Sequence, residues 1–137
     1  MVPIVPETEE EAKGFPPRSL FGEAYDYYRT PRAQHPRAPS RYVFRSVDRI
    51  AQYSSYDLIH LIAPRPLLMI HGTDADTARF SREAIEKARE PKELFWIEGA
   101  SHVDLYDKEE YVPTAIAKLS DFFQEHLAKT RAELAAH

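Results

Sequence analysis

The sequence contains no cysteine, which rules out disulfide staples and thiolate chemistry and fits a reducing compartment. It has four glycines, at 14, 22, 72 and 99. None of them builds a G-x-S-x-G turn, the strand-to-helix elbow that exposes a nucleophilic serine. None builds a phosphate-cradling loop, so no nucleotide cofactor is expected. No apolar stretch approaches the roughly 18 residues that suggest a membrane span. The opening residues carry Glu7, Glu9, Glu10 and Glu11 and lack a basic-then-apolar start, so no signal peptide is expected and the chain reads as cytoplasmic. Histidines at 35, 60, 71, 102, 126 and 137 show no paired spacing of the zinc type, and no metal site is expected.

What is present suits a packed domain. A hydrophobic fraction of 43% over 137 residues suffices for a core, and the net charge of -4 gives no reason to expect a polyanion partner. Arg29, Arg32, Arg37, Arg41, Arg45 and Arg49 alternate with Tyr25, Tyr27, Tyr28, Tyr42 and Tyr53 in a pattern that suits phosphates and stacked bases. Asp26, Asp48 and the acidic start offset that charge and no nucleic-acid motif appears, so a nucleic-acid partner is not expected.

The chain divides into two unlike parts. Residues 1–43 hold seven of the eleven prolines, in patterns such as "FPPRS" and "TPRAQHPRAPS", which keep long regular elements out. One short helix is expected at "SLFGEAYDYY", with Ser19 as N-cap and Leu20, Ala24 and Tyr27 or Tyr28 on one face. Residues 44–137 are more regular. Val43, Val47, Ile50 and Ala51 have helical spacing at the start of this part. In "APRPLLMIHG", Pro64 and Pro66 forbid helix, and the apolar run Leu67 to Ile70 reads as a strand buried on both faces. "SREAIEKAREPKE" reads as a helix capped by Ser81 and stopped by Pro91, and "ELFWIEG" as a second short strand. "EEYVPTAIAKLSDFFQEHLAKTRAELA" reads as a long amphipathic helix, with Val112, Ala115, Ile116, Leu119, Phe122, Phe123 and Leu127 along one side. The expectation is α/β: a βαβα unit with parallel strands behind a partly helical proline-rich segment. Two strands this apolar expect further neighbours.

"PRPLLMIHGTDADTARFSREAIEKA" and "PKELFWIEGASHVDLYD" resemble the C-terminal end of α/β-hydrolases, and in particular a bacterial, dienelactone-hydrolase-like subgroup with a G-A-x-H-V-D-L-Y-D segment. "EAYDYYRTPRAQHP" is similar to that subgroup's region before the last strands. The resemblance implies a partial α/β-hydrolase fold whose parent activity is hydrolysis of a carboxylic ester or related acyl bond. It implies His102 as the general base, which needs a carboxylate to orient it. Asp76 is preferred for that carboxylate and Asp74 is the alternative, while Asp74, Asp76 or Thr77 would also be explained as residues that organise the turn and helix start. Asp104 and Asp107 are expected to cap or solvate the last helix, and Ser101 and His71 to be structural. With no serine elbow, the chain is expected to be inactive alone. Its partner would be either a chain supplying the missing half or a second copy joined through an exposed strand edge.

Overall fold

A computed structural model describes residues 1–134, with side chains through Leu127. Ala135, at the end of the expected last helix, and His137 lie outside the described residues.

The N-terminal part is built from short pieces, as its prolines require. Strand β1 (Val2–Pro3) pairs antiparallel with β2 (Arg41–Tyr42), and the Ile4 amide donates to Ser40 at 2.8 Å. This clasp closes a loop over helices α1 (Glu9–Lys13) and α2 (Leu20–Arg29). Ser19 caps α2 as expected, accepting from the Gly22 amide at 3.1 Å. A 3-10 turn (Phe44–Ser46) leads into α3 (Val47–Gln52), and a second such turn spans Ile59–Ile62.

The second part is the expected strand, helix, strand and helix. β3 (Leu67–Gly72) and β4 (Lys92–Ile97) are parallel, in register from Leu67 opposite Lys92 to Gly72 opposite Ile97. Helix α4 (Ala78–Lys87) joins them and buries Ala84 and Ala88 with Ile59, against Tyr56, Ile62, Leu67 and Met69. The Lys92 ammonium closes α4, donating to the carbonyls of Ile85 (2.6 Å) and Ala88 (2.8 Å), which matches the preference for cations at helix C-termini. A short helix α5 (Asp104–Asp107) precedes the long α6 (Val112–Leu134).

Three expectations change. α4 starts one turn before Ser81, which is buried inside the helix and not its cap. Asp104 and Asp107 lie on α5 and not at the head of α6, because the chain makes a turn of its own there before Val112. Leu67 to Ile70 are half-buried and not buried on both faces, since β3 and β4 have only each other as sheet neighbours among the described residues.

The core is correspondingly thin. Its buried apolar residues are mostly alanines, with Val5, Ile59, Ile97 and Val103 the larger members. Phe44, Ile50, Leu58, Leu61, Ile116, Phe123 and Leu127 are exposed. Full burial of one such side chain stabilises by about 1.5–3 kcal/mol, so each exposed one forgoes a gain of that order. The faces of α3 and α6 have the spacing of packed helices but leave Val47, Ile50, Ile116, Leu119, Phe123 and Leu127 exposed.

Candidate functional site

The site is at the C-terminal ends of the two parallel strands, where two loops leave the sheet side by side. Their backbones are laced together: Thr73 donates to Ile97 O and Asp74 to Ala100 O, each at 3.0 Å. Thr73 Oγ1 also accepts from the Gly99 amide at 2.8 Å. A Cβ on Gly72 would stand 2.1 Å from the Ala100 carbonyl oxygen, so position 72 must be glycine for the loops to touch. Gly99 adopts φ 74, a left-handed turn that glycine makes without strain.

Beyond that turn, Ala100, Ser101 and Val103 are wholly buried. Asp104 Oδ2 accepts from the Ser101 amide (3.1 Å), and Ser101 Oγ accepts from the Asp104 amide (3.2 Å). These reciprocal bonds start α5 and hold the chain around His102, the half-buried residue of the group. They also place Ser101 in a structural role. Arg18 ties the N-terminal part to both loops, donating to Gly99 O and approaching Asp74 and Asp104 at 3.4 Å.

His102 lies between two hydroxyl groups. Nδ1 is 2.9 Å from Thr77 Oγ1, and Nε2 is 2.7 Å from the Tyr106 hydroxyl one helical turn on. Thr77 Oγ1 is also 3.3 Å from His71 Nε2. The proton affinity of His102 is lowered from its ordinary 6.5, first by burial and then by His71, against the opposing charges of Asp76 and Glu23. The ring is therefore mostly neutral at pH 7, the state of a proton acceptor. Tyr106 is held above the ordinary phenol range by burial and by Tyr28 and Tyr27. Tyr27 meets the Tyr106 ring edge-on at 5.1 Å. Arg32 lies over Tyr27 and pairs with Asp26 and Asp107, which fastens α2 to α5 and keeps Asp107 below the usual carboxylate range.

Asp76 reaches His102 through its field, while its Oδ2 accepts from the Leu20 amide at 3.0 Å, at the start of α2. Asp74 faces Arg18. The Nδ1 partner in this structure is Thr77, from α4's N-cap position. The sequence points to Thr77 only as a turn and helix-start residue, which its N-cap position matches, and gives no role to its contacts with His102 and His71, to Tyr106 or to Glu23. Glu23 Oε2 is buried without a hydrogen-bond partner among the described residues, and its charge favours protonated His102. For Tyr106 a signal existed, since its i+4 spacing from His102 on a helical turn brings the two together.

Among the described residues no cluster of His, Asp or Glu has metal-ligand geometry, and no helix is long and apolar enough to cross a membrane.

No protein-family model matches the chain. It is 34% identical to uncharacterized protein YcjY of Escherichia coli K12, over 93% of this chain and 40% of that protein. It is 42% identical to uncharacterized protein PA2218 of Pseudomonas aeruginosa, over 75% of this chain and 28% of that protein. The crystal structure of PA2218 superposes with a TM-score of 0.72 at 39% identity, covering 78% of this chain and 34% of that one. The chain thus spans well under half the length of these relatives, whose names state no activity.

Proposed function

We propose that this chain carries the general-base half of an acyl-bond hydrolase site, in a partial α/β-hydrolase fold. His102 takes the proton of a hydroxyl nucleophile at Nε2 as that oxygen attacks an ester or related carbonyl. The imidazolium then returns the proton to the leaving group. The nucleophile and the oxyanion donors come from outside these 137 residues, and the further length of the relatives is where this reading expects them. Asp76, rather than Asp74, supports the imidazolium, through its field. The chain alone turns nothing over, and its lack of cysteine supports a cytoplasmic setting.

The observation that carries this reading is the state of His102. It is a half-buried, mostly neutral imidazole at the C-terminal end of a parallel strand, the end at which open α/β sheets bind ligands. Its Nε2 is held in this structure by the Tyr106 hydroxyl at 2.7 Å, and a nucleophilic hydroxyl would have to take that place. The test is a chimera in which this chain replaces the matching 40% of YcjY, assayed on short p-nitrophenyl esters and with a fluorophosphonate probe. Ester turnover is expected, with His102→Asn reducing it by about 10²–10⁴-fold. A folded chimera with neither turnover nor label would refute the reading, as would turnover indifferent to His102→Asn.

A second reading is a non-catalytic module that associates with its own copy. The edges of β3 and β4, without partners among the described residues, and the exposed apolar residues of α3 and α6 favour it. Size-exclusion chromatography with light scattering separates the two. A compact dimer supports self-association, and a monomer counts against it.

A further inference from the structure

We infer that His71 and Thr77 form a one-way hydrogen-bond chain that fixes the tautomer of His102, with its proton on Nδ1 and its lone pair on Nε2. The catalytic meaning of this chain rests on the reading of His102 as a general base, whereas the tautomer itself does not.

The direction follows from the one group in the chain that has no choice. The Gly72 carbonyl oxygen can only accept, and His71 Nδ1 lies 2.9 Å from it, so Nδ1 carries the proton and donates. Wherever the His71 ring is neutral it has a single N–H, so Nε2 is then a lone pair and must accept. Its neighbour at 3.3 Å is the Thr77 hydroxyl, which has one proton and gives it to His71. Thr77 Oγ1 is then left as an acceptor towards His102 Nδ1, 2.9 Å away, and Nδ1 donates. His102 Nε2 is thereby the bare nitrogen, and the Tyr106 hydroxyl at 2.7 Å donates to it. The opposite polarity would set a ring lone pair against the Gly72 carbonyl lone pairs at 2.9 Å.

The chain is also held in place. His71 is only 9% exposed and meets Trp96 edge-on at 5.8 Å, and Thr77 is anchored at the first turn of α4. In a serine-hydrolase triad a carboxylate, which can only accept, fixes the histidine tautomer. Here the Gly72 carbonyl supplies the same constraint, relayed through a neutral imidazole and a hydroxyl. His71 and Thr77 are thus positioning residues, acting on the base and not on a substrate.

The test is histidine imidazole NMR on the full 137-residue chain labelled with ¹⁵N-histidine. Spectra are recorded near pH 8, roughly 1.5 units above the ordinary histidine value, where neutral rings have a defined tautomer. In the wild type, the couplings are expected to show His102 protonated on Nδ1, and His71 likewise. Thr77→Val removes the relay, and His102 should move towards the Nε2–H form that free histidine prefers, its two ring-nitrogen resonances exchanging places. Thr77→Ser should restore the wild-type pattern. His71→Phe, which keeps a ring against Trp96, should leave His102 a mixture. A wild-type spectrum with His102 protonated on Nε2 overturns the inference without any variant. A His102 that stays Nδ1–H in both Thr77→Val and His71→Phe overturns it too. None of these outcomes depends on ester cleavage, so they stand apart from the fate of the hydrolase reading.

Discussion

Thr77 gives His102 Nδ1 a neutral hydroxyl and not a carboxylate as its partner, which leaves a proton on the ring less strongly held. The two carboxylates that help, Asp76 and Glu23, do so through their fields. Asp76→Asn and Glu23→Gln should each lower the His102 pKa further, and NMR titration of its ring protons would show the direction. Thr77→Asp should raise it by about 1–3 units, the usual effect of an adjacent opposite charge. A pKa below the ordinary 6.5 also makes the fold sensitive to acid through this residue. The unfolded chain takes up the proton first as pH falls, so the contribution of His102 to stability is complete above about 6.5 and declines below it as the folded-state pKa is approached. Urea midpoints measured between about pH 5 and 8 should fall less steeply on the acid side in His102→Asn than in the wild type. The loop position of His102 was legible in the sequence, because it follows an apolar run ended by Gly99, whereas only the resemblance pointed to it as a base. Its partner was not legible, since Thr77 is 25 positions away and becomes a neighbour only once two strands pair in register.

The two strand-end loops depend on a contact that has no room for a methyl group. Gly72→Ala would drive a Cβ into the Ala100 carbonyl and separate the loop that holds Thr77 from the one that holds His102. A loss of about 1–3 kcal/mol by urea unfolding is expected, together with a change in the His102 environment seen by NMR. Asp104→Ala should cost a similar amount, about 1–3 kcal/mol, because it leaves the Ser101 amide buried without a partner. At this scale the sequence was informative where periodicity was strong. α2, α4, α6 and both parallel strands were readable from apolar spacing and from proline and glycine at their borders. Ser81 has the residue type of a cap, but the chain already turns into helix at Thr77, whose hydroxyl faces the histidines. The β1–β2 clasp left no trace to read, because strands of two residues are too short to show a period.

For the molecule as a whole, the apolar faces of α3 and α6 and the strand edges count for more than its thin core. Replacing Ile116 and Phe123 by Lys should barely change the urea midpoint of the isolated chain, because both side chains are already exposed, at 55% and 50%. The same pair of changes should reduce any self-association seen by light scattering, or lower the activity of the YcjY chimera. A sheet of two parallel strands has a further property. A two-fold dimer joins like edges, β3 to β3 or β4 to β4, and leaves the other edge of each copy open. Pairing the β3 edge of one copy with the β4 edge of the next extends the sheet in the same sense and presents a fresh edge each time. Unless something terminates it, such a sheet lengthens by the same contact at every step, and would show a broad range of lengths that grows with concentration rather than a fixed stoichiometry.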